Sequence, residues 1–206
     1  SMNYILSAGG ILFDPEKRDT VRIDSDQTVK ALCFQAEVRD LPGSQISNSV
    51  TPFIDGECAM CCITCKNPLP PAFRFGAVHF PVMQKGMPHS SLLAGDFFCV
   101  RKECADSGLL EKTMRFLFSE EIQNSAAACG IPFRKQPHAA QKGLRQFFTD
   151  ELQHAVVKYN IFDAEEYRLI CRVISEIALS DVRQIPAKCH ALAEVIRMIR
   201  HASCSS

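Results

Sequence analysis

The alternation of apolar and polar positions predicts strands in the first part of the chain and helices in the second. Tyr4-Ile5-Leu6 and Ile11-Leu12-Phe13 are short apolar runs on either side of Gly9-Gly10. Val21 and Ile23 alternate with polar neighbours across a polar turn at 14–19. Leu32, Phe34, Ala36 and Val38 fall on every second position. A period of two is the mark of a half-buried strand, so the segment ending at Asp40 reads as a strand of about ten residues. Residues 51–54 and 73–80 read as further strands, and Pro68-Leu69-Pro70-Pro71 between them excludes a helix there. Residues 81–95 form a loop rich in Pro, Gly, Ser and Met, of a length usually tied to function.

From residue 106 onward the period becomes helical. Asp106 or Ser107 can cap a helix carrying Leu110, Met114, Leu117 and Phe118, which Gly130-Ile131-Pro132 ends. Leu144, Phe148, Leu152, Ala155, Val156 and Tyr159 place a second helix over 138–159. Asp163 with Glu166 three residues on resembles a capping box, and Tyr167, Ile170, Ile174 and Ile177 follow on one face. Pro186 suits the first turn of a last helix with Cys189, Leu192, Val195, Ile196 and Ile199 as its stripe. The predicted fold class is α+β: a β-rich N-terminal half over 3–105 that bears a zinc knuckle, then a C-terminal four-helix region over 106–204.

Composition narrows the function classes. The 206 residues include 23 basic and 23 acidic side chains, so no global charge draws the chain to nucleic acid. Trp is absent and Tyr numbers only 3, so a stacking platform for bases is not evident either. No apolar run reaches the roughly eighteen residues a membrane span needs. Ser1-Met2 has the look of a processing scar and is set aside.

The chemistry lies in the cysteines. Eleven is an odd number, and without a secretory signal it favours reduced thiols in a nuclear or cytoplasmic compartment over a disulfide framework. Cys62 and Cys65 are separated by two residues, and Cys99 and Cys104 by four, both within the range of structural zinc knuckles. Cys62, Cys65, Cys99 and Cys104 are therefore the candidate Zn2+ ligands. Cys58 and Cys61 have the same spacing and can replace the first pair; six cysteines with His79 or His89 can also share two metals. Lys66, Arg101 and Lys102 stand beside these positions and favour thiolates. Cys33, Cys129, Cys171, Cys189 and Cys204 are solitary and read as core or surface thiols. A thiol enzyme built on Cys129 with His138 or His154 as base would need a spatial arrangement that spacing alone does not supply.

The order of these features resembles SET-domain lysine methyltransferases interrupted by a MYND-type zinc finger. Gly9-Gly10-Ile11-Leu12-Phe13 is similar to the opening strand, and Cys62-Ile-Thr-Cys65 to the first knuckle of the finger. Phe97-Phe98-Cys99-Val-Arg-Lys-Glu-Cys104 is similar to the second knuckle, and Glu166 to Ile174 to the helix after the finger. The resemblance implies a zinc finger and partners reached through the finger loop or the helical region. The second SET half, with the Asn-His-Ser-Cys motif and a catalytic tyrosine, has no counterpart beyond His201-Ala-Ser-Cys204. The expected function is thus a zinc-binding protein-interaction module of a nuclear or chromatin-associated assembly, not catalytic on its own. An S-adenosylmethionine-dependent methyltransferase, truncated or completed by a partner, is the alternative.

Overall fold

A computed structural model describes residues 1–14, 20–44, 50–63, 75–93, 101–104, 108–126, 144–157 and 164–204. The β-rich N-terminal half is not found there; the described chain is mostly helical, with two short strands. α1 (Met2–Ser7) stands where the first strand was expected, and α2 (Asp26–Arg39) replaces the long alternating strand. α3 (Thr51–Ile54) replaces a third, with Pro52 in its first turn, and 75–80 is irregular. Among the described residues, an isolated antiparallel bridge, Phe13 to Val21, is what remains of the strands predicted on either side of the polar turn at 14–19. The four-helix C-terminal region is also corrected: the helices described there are α4 (Gly108–Leu117), α5 (Glu120–Ala126), α6 (Leu144–Glu151), α7 (Ala164–Ala178) and α8 (Ile185–Cys204). The strand pair consists of β1 (Ser91–Leu93) and β2 (Ala155–Val157), the latter inside a predicted helix.

The reason for α2 lies at its N-terminus. The Ser25 hydroxyl oxygen accepts the Thr28 backbone N–H at 3.4 Å, satisfying one donor that a helix start leaves open. The buried face comprises Thr28, Ala31, Leu32 and Ala36, a helical spacing made of small and polar residues as well as Leu32. Such a face has almost no hydrophobic contrast, so the accidental alternation from Leu32 to Val38 dominates the pattern. Phe34, one of the supposed inward residues, is 40% exposed.

The chain divides into two compact units. The first comprises Ser1–Ile46, His79–Ala94 and His154–Ser206. Its core joins Leu32 and Ala36 of α2, Ile174 and Ile177 of α7, and Ile185 and Cys189 of α8. Arg39 locks the bundle: its Nη1 donates to the carbonyls of Ala178 (3.1 Å) and Ser180 (3.4 Å), closing the C-terminus of α7. Gly9 ends α1 with φ of +71°, and a Cβ there would meet the Met87 methyl at 2.6 Å. Segment 79–93 lies along α1: Met83 N–H donates to Ser7 O (3.0 Å), and the rings of Tyr4 and Phe80 meet edge to face at 5.1 Å. β1 and β2 pair in parallel with Ser91 opposite Ala155.

The second unit comprises Ser47–Val78 and Gly95–Gln153. Phe53 of α3 meets Phe75 edge to face at 6.1 Å. The predicted helix beginning near 106 is broken after α4 because Ser119 starts α5, its hydroxyl accepting Ile122 N–H at 3.4 Å. Among the described residues, no apolar side chain of this unit is buried; all the buried apolar residues belong to the first unit. Leu109 and Phe116 of α4 are 74% and 59% exposed.

Candidate metal-binding residues

Of the four predicted zinc ligands, Cys65 and Cys99 lie outside the described residues, as do Cys129 and His138. Cys62 is exposed and follows Cys61 in an irregular stretch after α3. Cys104 ends a short 3₁₀ turn, Lys102–Cys104. Cys62 and Cys104 both belong to the second unit, together with Cys58 and Cys61.

Local structure explains how the first cysteines are gathered. α3 closes with Gly56 at φ of +76°, and the Pro52 carbonyl accepts the N–H groups of Glu57 (2.8 Å) and Cys58 (3.2 Å). The chain is thereby turned back before Cys58, and Cys61 and Cys62 follow within reach. Burial pushes the Cys61 thiol up, and the neighbouring Cys58 and Cys62 push it further. Crowded thiols resist ionisation unless a cation sits among them, and a divalent ion reverses that penalty. Among the described residues these sulfurs are not drawn within 4.8 Å as a set of three ligand atoms. Arg101, expected to favour thiolates, donates from Nε to Glu103 Oε2 at 3.3 Å, so a carboxylate already meets much of its charge.

The solitary cysteines follow their expected roles where described. Cys189 is fully buried in the first unit's core, and burial first, then Cys33 and Asp24, push its thiol up to about 11. Cys33 and Cys171 are half-buried.

A group that spacing did not reveal lies in the first unit. The parallel register of β1 and β2 brings together the residues that precede each strand, and these include His89 and His154. Their ring centroids are 3.9 Å apart with planes at 51°. His79 stacks on His89, also at 3.9 Å and 25°, and lies 6.5 Å from His154. A ligand nitrogen of His79 and one of His89 lie within 4.8 Å of each other. His79 and His154 are exposed and His89 is half-buried. The sequence did carry a signal, since a histidine closely precedes each of two short apolar runs. The signal stays hidden because one run falls in a predicted loop and the other in a predicted helix.

The residues quoted for the SET resemblance are placed differently from one another. Glu166 to Ile174 lies on α7. Gly9 and Gly10 form the turn after α1, not a strand facing a cofactor. Among the described residues no helix is long and apolar enough to cross a membrane. Comparison with models of known protein families, with curated proteins and with solved structures gives no match for the chain.

Proposed function

We propose that the chain is a zinc-binding protein-interaction module without catalytic activity of its own. One observation carries this reading. The second unit holds Cys58, Cys61, Cys62 and Cys104, yet among its described residues no apolar side chain is buried. Its described residues thus supply no hydrophobic core of their own, and small folds that lack one use a metal as a staple. Binding free energy at such a site is folding free energy, because the unfolded chain has no preformed site. Cys62, Cys65, Cys99 and Cys104 are the ligands, with Cys58 and Cys61 as the replacement for the first pair. The interaction surface is α4, whose Leu109 and Phe116 face solvent in the same unit. Exposed apolar area of this kind marks contact surfaces on folded proteins.

Native mass spectrometry of the purified chain, with and without a thiol-competing chelator, tests the metal. The expected result is zinc held by the wild type and lost from Cys62→Ser and Cys104→Ser. Metal-free protein, or zinc retained undiminished by both variants, would refute it.

A further inference from the structure

We infer that His79, His89 and His154 form a second metal site, in the first unit and separate from the cysteines. The site takes a late divalent transition ion, Zn2+ being the physiological choice, through imidazole nitrogens.

The fold itself produces the juxtaposition. Pairing Ser91 with Ala155 sets the approaches to β1 and β2 side by side, so His89 and His154 meet at 3.9 Å. The irregular segment ahead of β1 then lays the His79 ring on His89 at 3.9 Å. Three of the chain's six histidines thus converge from positions 79, 89 and 154. None of the three belongs to the buried core cluster, and His79 and His154 are exposed.

The chemistry of the set is specific. Imidazole is a borderline ligand suited to Zn2+, Cu2+ and Ni2+, whereas Mg2+ and Ca2+ require oxygen donors. Zinc binds imidazole nitrogen at about 2.0–2.1 Å, which places two ligand nitrogens of a tetrahedron roughly 3.3 Å apart. A nitrogen of His79 and one of His89 already lie within 4.8 Å; His154 is not drawn into a set of three ligand atoms at that distance, and the exposed rings of His79 and His154 must turn about half-buried His89 to close the site. Three protein ligands leave the fourth tetrahedral position to water or to a donor from elsewhere.

This site is independent of the cysteine reading, and the test separates the two. Zinc stoichiometry and affinity are measured on the full chain at buffered free zinc for wild type, His79→Gln, His154→Gln and Cys62→Ser. The expected result is that each histidine variant loses the same one ion, with affinity reduced about tenfold or more, while Cys62→Ser keeps it. Unchanged zinc binding in both histidine variants would overturn the site. A second readout needs no variant. On zinc addition to the wild type, the imidazole nitrogen resonances of His79, His89 and His154 shift together, and those of His190 and His201 stay in place. Zinc binding that leaves the first three unmoved would equally overturn it.

Discussion

At the scale of single residues, Arg197 and Asp24 illustrate how one charged contact ties distant segments together. Arg197 Nη2 donates to Asp24 Oδ1 at 2.8 Å and to the Val21 carbonyl at 3.2 Å, while Nη1 reaches Asp24 Oδ2 at 3.0 Å. The pair joins the last helix to the loop before α2, with only 20% of the Asp24 side chain exposed. Burial, the largest influence, pushes the Asp24 carboxyl up. Hydrogen bonding and charge from Arg197, with smaller help from its own backbone and His190, outweigh it and hold the group below its ordinary 3.8. A carboxyl depressed in the folded state adds stability above its unfolded value, and that stability is lost as pH falls through the folded value. Wild-type urea midpoints should therefore drop as pH falls below about 4, and Asp24→Asn should drop less across the same range. At neutral pH the variant should cost about 1–3 kcal/mol, the usual worth of hydrogen bonds to a charged group. Equal acid slopes for the two proteins would show that Asp24 is not the titrating group. Thr28 makes the matching case for a neutral group. It is fully buried, and its hydroxyl lies 3.2 Å from the Ile11 carbonyl and 3.4 Å from that of Arg22. Thr28→Val should cost roughly 1–3 kcal/mol by stranding buried acceptors, read as a lower urea midpoint at unchanged slope.

At the scale of elements, the helices with strong contrast were legible and the others were not. In α7 the buried positions Ile170, Ile174, Ile177 and Ala178 recur at helical spacing, and α8 repeats the pattern with Ile185, Cys189, Ala193 and Ile196. Those two helices lie where the periodicity placed them, but the stripe predicted for α8 is buried only in part, since Val195 and Ile199 are 46% and 56% exposed. α1 has six residues and α2 a face of Thr and Ala, so neither projects a hydrophobic stripe. Their starts and stops, Ser25 and Gly9, carry the information instead, and both act through backbone geometry that apolar periodicity does not register. β2 failed for the opposite reason: Ala155 and Val156 continue the helical spacing of Leu144, Phe148 and Leu152, and only pairing with β1 makes them a strand. The histidine group was hidden with it, because its members converge only once that parallel register is known. Ile174 tests the helical core directly. It is 2% exposed between its neighbours in the first unit's core, and Ile174→Ala should cost about 2–5 kcal/mol. Val195 is 46% exposed on α8, and Val195→Ala should change stability by no more than about 0.5 kcal/mol. Similar losses in the two variants would place the packing of α8 the other way round.

At the scale of the whole molecule, the two units differ in what can hold them together. The first has a hydrophobic core and the Arg39 and Arg197 clasps, and these need no ion. The second has cysteines and, among its described residues, no buried apolar side chain, so its stability is proposed to rest on zinc. Removing metal should then act unevenly along the chain, because local opening follows local stabilisation. Hydrogen exchange measured with and without a chelator reads this segment by segment. The expected outcome is loss of amide protection over 108–117 and 120–126, with protection kept over 26–39, 164–178 and 185–204. Zinc returned in excess should restore the lost protection, since binding and folding are coupled at such a site. Cys62→Ser should show the chelated pattern without any chelator. Uniform loss across both sets of segments would mean that the units fold as one body stabilised jointly. No loss in either would mean that the cysteines are ordinary thiols, and that the second unit is held by contacts other than a metal.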